Sequence, residues 1–354
     1  MELIPILLRM SLRGLLIDHE VRERLESKYE QEVEELKAMC EGFNPGSPPQ
    51  VGFILGKRGN MLPLKRRRNK EGKWETKIST EAEALEKLDD PLAAVVLRYR
   101  TVSKALSTYI RPYEGKERAY TRWHLEAATG RPSSTRRNLQ NMRIDLREMI
   151  IPDNGVFTNW DASQIELRCL AYISQDEEML HIYETGGDIH QTTADFMRID
   201  RKIAKNTNFA MIYGGSDETI METAHILNRR RATELREMWF DLYRGAARWI
   251  QMIQEKGMED GYVETLYGRK LALPIGRESP AEIARKAVNY PIQASASEII
   301  KRAMIKCQNL PLVMQLHDEL MADGDVSEEV VGMGLENIAP FRTPYEIRTS
   351  RRWE

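Results

Sequence analysis

The chain has 354 residues, 52 basic and 54 acidic, for a formal net charge of -2, so any polyanion must be held by local basic patches and not by the overall field. At 42% hydrophobic and 30% charged, it has the composition of an ordinary soluble protein, and its length calls for two or three packed subdomains around more than one small core. Cys40, Cys169 and Cys307 stand far apart with no CxxC pair, which argues against structural zinc or a disulfide framework and for a reducing, cytoplasmic compartment. The opening MELIPILLRM lacks a basic leader and reads as packed structure, and no run approaches the roughly 20 apolar residues of a membrane span. Residues 20–41 carry Val21, Leu25, Val33, Leu36 and Met39 among many charges, the pattern of a long surface helix ended by FNPGSPPQ. Residues 57–77 are the most basic part of the chain, either a solvated loop or a clamp on a phosphate backbone. Helical spacing returns from Pro91 to Ile110 and stops at Pro112.

TGRPSSTRRNLQN, residues 129–141, is too rich in Gly, Pro, Ser and Asn for regular structure, and its Arg and amide side chains suit phosphates and groove edges. VFTNWDASQIELRCLAYIS, from Val156, reads as a strand running into a helix. Asp161 falls at the junction, as a metal ligand on a rigid base or as a helix N-cap. DIHQTTADF supplies His190. In RKIAKNTNFAMIYGG, residues 201–215, Arg201, Lys205, Phe209 and Tyr213 fall four apart, and each step of four drifts only about 40° around a helix, so all share one face. Two cations near a helix N-terminus followed by two aromatics give a face shaped like a nucleoside triphosphate, and Gly214 and Gly215 end the helix. An amphipathic helix with an exposed basic edge is the plain alternative. Residues 217–256 are helical in pattern, GYVETLYGRKLALP looks like a hairpin, and in AEIARKAVNYPIQASASEIIKRAM the row Arg285, Asn289 and Gln293 recurs by four, with a kink expected at Pro291. LVMQLHDELMAD reads as two apolar strands with His317, Asp318 and Glu319 at the bend, three ionisable groups that a metal would use.

Taken together, these segments resemble the family A DNA polymerases. DASQIELR is similar to the family's motif A, RKIAKNTNFAMIYGG to motif B and LHDEL to motif C. TGRPSSTRRNLQN, DIHQTTADF, YVETLYGR, RKAVNYPIQ and LRYRTVSKALSTYI match further segments in the family's order, so the likeness covers most of the chain. The resemblance implies an α+β, right-hand polymerase fold: an antiparallel palm sheet bearing Asp161 and Asp318, helical fingers and a helical thumb. The division it implies is 1–30 start of palm, 31–112 thumb, 113–165 palm with motif A, 166–305 fingers with motif B and the following duplex-contacting helix, and 306–354 palm with motif C. The basic stretch near Lys65 to Arg68 would lie in the thumb.

The implied chemistry is template-directed extension of a primer 3′-hydroxyl with deoxynucleoside triphosphates by two-metal phosphoryl transfer, with Mg2+ as the two ions, about 3.5 to 4 Å apart, and Mn2+ able to substitute. Asp161, Asp318 and the backbone carbonyl of Ala162, which replaces the family's usual Tyr, would hold metal, with Glu319 supporting them. Arg201, Lys205 and His190 would bind the triphosphate, Lys205 also protonating pyrophosphate. Phe209 would lie against the nucleotide, Tyr213 beside the template base, Gln164 would bind the nucleotide, and Glu166 would stand at the sugar as steric gate. Arg131, Gln140, Asn141, Arg285, Asn289 and Gln293 would contact primer-template duplex, with His317 at the primer terminus. Pro132 and Arg137 depart from the family's loop. The expected partners are primer-template DNA and dNTPs, with separate exonuclease or helicase/primase proteins, for a monomer in a bacterial or viral replication setting, away from membranes and without its own 3′→5′ exonuclease. A reverse transcriptase or single-subunit RNA polymerase shares the two Asp residues, and an inactive nucleic-acid-binding accessory subunit would lack them or the triphosphate cations.

Overall fold

The computed structural model describes residues 2–40, 42–68, 72–335 and 337–354, apart from the side chains of 67 and 68. The opening run folds as α1 (Leu3–Arg13), because Leu3, Ile6, Leu7 and Met10 recur at helical spacing and all four are buried. A short strand, β1 (Leu15–Ile17), leads into α2 (His19–Ala38), whose first turn is capped by the Asp18 carboxylate accepting from the Val21 N–H at 3.1 Å. After α3 (Pro48–Lys57) the basic segment is a hairpin and not a loop. β2 (Leu64–Arg68) and β3 (Trp74–Ile78) pair antiparallel, Leu64 opposite Ile78 and Lys65 opposite Lys77. The part of the expected clamp at 69–71, with the side chains of Arg67 and Arg68, lies outside the described residues.

Next come α4 (Ala82–Glu86) and α5 (Pro91–Ala105), the latter running into a π-helical turn at Leu106–Ile110. β4 (Arg118–Ala119), β5 (Arg122–His124), β6 (Ser133–Thr135), α6 (Ile144–Arg147) and β7 (Ile150–Ile151) follow. The segment 129–141, expected to be irregular, thus contains a strand, β6, held by pairing with β5. Then come β8 (Phe157–Ala162) and α7 (Ile165–Ser174), followed by α8 (Glu177–Glu184), α9 (Ile189–Met197) and α10 (Arg201–Ile212). The helical run continues through α11 (Asp217–Thr223), α12 (Arg229–Leu242) and α13 (Arg244–Asp260). The hairpin β9 (Tyr262–Glu264) and β10 (Lys270–Ala272) precedes α14 (Pro280–Lys306). Ser279 and Glu282 form a capping box at the start of α14, which continues as one helix through the buried Pro291, the place where a kink is expected. The chain closes with β11 (Leu312–Leu316), β12 (Glu319–Asp323), α15 (Glu328–Leu335) and β13 (Tyr345–Ser350).

Two compact units result. One gathers the chain up to Arg13 with Thr121–Gln140 and Asn154–Ser350. Its centre is a four-stranded antiparallel sheet, β11-β12-β8-β13, with β8 buried on both faces at every residue but Asp161. α14 packs on α7, α10 and α13, and the β9–β10 hairpin seals one end through Val263, Leu271 and Leu273 against Ile283 and Ala287. The other unit, Gly14–Tyr120 with Asn141–Asp153 and Arg351–Glu354, holds α2 to α5 and the small sheet β4-β1-β7. Val51, Leu55, Leu85, Ala93 and Val96 make its core. These boundaries keep 14–120 together with 141–153, where the sequence suggested cuts at 30, 112 and 165.

Candidate active site

The site is built on the four-stranded sheet of the first unit. β8 carries Asp161 one residue before its end, and β12 opens with Glu319 directly opposite Asp161. Asp318 is therefore brought to the end of β8, where the Ala162 N–H donates to the Asp318 carbonyl at 3.1 Å. The turn joining β11 to β12 is only His317 and Asp318, and His317 takes φ +55°, a left-handed conformation that a two-residue hairpin turn demands and that side chains other than Gly, Asn or Asp seldom adopt. On the other side of β8, β13 sets Glu346 opposite Asp161. Directly paired residues in antiparallel strands share a face, so Asp161 stands in a row of carboxylates, Glu319, Asp161 and Glu346.

Burial pushes the Asp161 carboxyl up to about 6, the Asp318 and Glu346 carboxylates push the same way, and Arg348 and His317 oppose them. The Asp318 carboxyl is also raised, first by burial and then by Glu166, against Arg131. Two neighbouring acids that resist ionising form a donor set of hard oxygens. Among the described residues no three acid, imidazole or thiol side chains close into a cage. Such a pair suits a hard divalent ion that keeps water and phosphate among its ligands.

Asp161 is a strand residue and caps no helix. The start of α7 falls to Gln164, at φ +55° and with no capping bond from its side chain. Around this second left-handed turn the Ser163 N–H donates to the Pro344 carbonyl at 3.0 Å and Arg168 Nε to the Ser163 carbonyl at 3.0 Å. The Tyr183 hydroxyl donates to Gln164 Oε1 at 3.1 Å. Glu166, in the first turn of α7, is buried and ion-paired with Arg131. A cavity of about 320 Å³ opens here, lined by Arg131, Gln164, Glu166, Phe209, Tyr213, His317 and Asp318 with Ile165, Ala296, Ser297 and Ile300. Seven of the residues singled out in the sequence thus meet around one space.

On α10 the row of four is present, with its two ends treated differently. At the N-terminus the anion-binding expectation is modified, since Asp200 caps the helix by accepting from the Lys202 N–H at 2.7 Å and Arg201 is ion-paired with Asp188 at 2.7 Å. Lys205 is exposed, and Phe209 and Tyr213 are half-buried. At the C-terminus Gly214 has φ +112°, and a Cβ there would lie 2.3 Å from Arg285 Cγ, so only glycine lets α14 come this close. Asn289 Nδ2 reaches the Ile212 carbonyl at 3.4 Å, and Gln293 bonds the Tyr213 side chain. The Arg285, Asn289 and Gln293 stripe therefore faces the end of α10 and not only solvent. A larger cavity of about 720 Å³ begins beyond Gly214 and Arg285, among α11, α12, α13 and α14.

Other expected residues stand apart from the cavity. His190, on α9, is buried, its ring 6.0 Å from that of Phe209 and its Nδ1 3.0 Å from Asn208 Nδ2. Gln140 is drawn into the fold: its Oε1 accepts from the Ser134 N–H at 2.8 Å and its Nε2 donates to the Pro132 and Gln315 carbonyls, each at 3.1 Å. Those bonds use the amide expected to read a groove edge. Asn141 is exposed in the other unit. Glu346, Arg348 and Asn208 were missed in the sequence. The first two gain meaning only from strand register, and Asn208 was hidden inside the motif whose exposed face drew attention.

An antiparallel sheet presents raised carboxylates at Asp161 and Asp318, beside the end of α10 where the half-buried Phe209 and Tyr213 line the cavity of about 320 Å³. The chain belongs to DNA polymerase family A, whose description it matches over residues 17–332. It is 31% identical to DNA polymerase I of Caldicellulosiruptor bescii over 99% of the chain and 46% of that protein, and 33% identical to the thermostable DNA polymerase I of Thermus filiformis over 98% and 47%. The chain thus spans less than half the length of these relatives. Among solved structures it superposes on the POL domain of Pol1 from M. smegmatis, in complex with DNA primer-template and dNTP, with a TM-score of 0.86 and 26% identity over 99% of this chain and 69% of that one. The fold is the α+β polymerase fold. No helix among the described residues is long and apolar enough to cross a membrane.

Proposed function

We propose that the chain is a template-directed DNA polymerase that adds deoxynucleotides to a primer 3′-hydroxyl. The observation that carries this reading is the convergence of Asp161 and Asp318, 157 positions apart in sequence, at the end of one strand pair beside the cavity lined by Glu166, Phe209 and Tyr213. In this reading the four-stranded sheet is the palm, the helices of 166–305 are the fingers with the duplex-contacting helix α14, and residues 31–112 with the basic hairpin are the thumb.

Asp161 and Asp318, with the Ala162 carbonyl, hold divalent metal, Mg2+ in preference and Mn2+ as a substitute, and Glu319 supports them. Bound there, the two ions would activate the attacking hydroxyl and stabilise charge on the phosphate and the departing pyrophosphate. Lys205 and Arg201 bind the triphosphate, Arg201 after leaving Asp188, and Lys205 delivers a proton to pyrophosphate. Phe209 supports the base, Tyr213 stands at the template side, Gln164 binds the nucleotide, and Glu166 fills the room a 2′-hydroxyl would need. Arg131, Arg285, Asn289, Gln293 and His317 meet the duplex and its primer end. The primer-template DNA and dNTP bound to the M. smegmatis neighbour support the same partners here.

The test is extension of a labelled primer with and without Mg2+, comparing deoxy- and ribonucleotides on DNA and RNA templates. Magnesium-dependent extension with deoxynucleotides is expected. Equal use of ribonucleotides would defeat the gate assignment, and failure to extend under any of these conditions would defeat the enzyme reading.

A further inference from the structure

We propose that Asn208 is a positioning residue that fixes His190 as the tautomer protonated on Nε2, so that the ring offers the triphosphate a neutral N–H donor and not a charge. The donor role rests on the nucleotide reading of α10 given above; the tautomer rests on hydrogen-bond chemistry alone.

Trp239 on α12 sets the direction of the Asn208 amide. An indole N–H can only donate, and Trp239 Nε1 lies 2.9 Å from Asn208 Oδ1. The oxygen end of the amide is thereby identified by its partner, and Nδ2 must face the other way. Nδ2 lies 3.0 Å from His190 Nδ1 and 3.0 Å from Thr193 Oγ1, one acceptor for each of its two hydrogens. A nitrogen that accepts from an amide carries no proton, and an imidazole bare at Nδ1 is neutral with its hydrogen on Nε2. Thr193 completes the set: its hydroxyl donates to the Ile189 carbonyl at 2.6 Å and accepts from the Tyr243 hydroxyl at 2.8 Å. The other choice, Thr193 donating to Asn208 Oδ1 at 3.1 Å, leaves the imidazole unchanged.

Burial makes the arrangement binding. His190 is 3% exposed, and Asn208, Thr193, Trp239 and Tyr243 are each 0% exposed, so water is not at hand to repair a mismatch. With the proton on Nδ1, two donors would meet head to head in a dry site. The charged neighbours are Asp188 at the cap of α9 and Arg201 and Lys205 on α10, with the Tyr243 hydroxyl next in the network. Burial, helped by the two cations and opposed by Asp188, carries the imidazole down to about 4. The ring therefore stays neutral across the working pH range, and the positive charge of the site comes from Arg201 and Lys205.

The test is nitrogen NMR of the full chain labelled with ¹⁵N-histidine. There are six histidines, and His190→Gln identifies the signals of interest by their loss. Expected are a bare Nδ1 and a protonated Nε2 that do not change between pH 8 and 5.5. A proton on Nδ1, or titration near the ordinary histidine value, overturns the proposal whatever the enzyme's activity. Asn208→Asp exchanges the donor for an acceptor. It should draw a proton to Nδ1, read directly in the nitrogen spectrum, and move KM for dNTP away from wild type, upward about tenfold if the Nε2 proton leaves as Nδ1 gains one and downward if the ring becomes an imidazolium that keeps its Nε2–H. His190→Asn, which places its amide at the Nδ1 position, should raise KM well above that of His190→Gln, which keeps a donor at the Nε2 position. If the spectrum is as expected but Asn208→Asp and both His190 variants leave KM equal to wild type, the donor role is wrong and the tautomer stands. If Asn208→Asp does not fold, the wild-type spectrum and the two His190 variants still decide.

Discussion

The carboxylate pair on the sheet and the amide–imidazole cluster behind α10 are both buried polar groups of the same unit, built on opposite terms. Around Asn208 each donor meets an acceptor, from Trp239 through His190 to Thr193 and Tyr243. Around Asp161 acids are set against acids, and burial adds to the cost of their charge. The first arrangement stabilises one conformation and one protonation state. The second is unfavourable in the protein by itself, and in the reading proposed above a divalent cation would offset that cost. Gln164, in the turn that follows the strand of Asp161, and His317, in the turn that holds Asp318, both take φ +55° without being glycine, which places backbone strain at the same end of the sheet.

That contrast is broken most severely by removing a carboxylate. Asp318→Ala should lower single-nucleotide extension by about 10³-fold or more while duplex binding in a filter assay changes little, and persistent extension would mean the metal site has been misplaced. Next in size is the buried pair of Glu166 with Arg131. Glu166→Ala should lower discrimination against ribonucleotides by roughly 10- to 100-fold in kcat/KM, whereas unchanged discrimination would show that another side chain excludes the 2′-hydroxyl.

Within the satisfied cluster, Trp239→Phe leaves Asn208 Oδ1 without its indole donor and should cost about 1–3 kcal/mol in urea unfolding. A loss near zero would mean the network carries no stability. The smallest effect has the opposite sign. Because the folded Asp161 carboxyl lies near 6 against 3.8 for the free group, its ionised form costs stability above about pH 6, and the cost fades as pH falls and the folded protein takes up the proton. In metal-free buffer at pH 7.5, Asp161→Asn should therefore raise Tm by a few degrees, on the order of 1–2 kcal/mol once solvent screening is allowed for. The gain should shrink toward pH 5, and added Mg2+ should stabilise the wild type more than the variant. A variant less stable than wild type at pH 7.5 would contradict the account of the carboxylate row.

Sequence alone determined the ordered segments, the strand-to-helix passage at Asp161, the hairpin at Asp318 and the one-faced row on α10, because each follows from side-chain period or local turn chemistry over a few residues. Its errors came where tertiary partners override local signals. Polar 129–141 yields β6 because β5 pairs with it, and Gln140 uses its amide on Ser134, Pro132 and Gln315. Only the folded chain decided that Glu346, 185 positions beyond Asp161 (346 minus 161), stands beside it, and that Trp239 turns the Asn208 amide toward His190. Strand register and the direction of a buried hydrogen bond are set by which distant groups arrive opposite, and no local pattern of residues encodes that meeting.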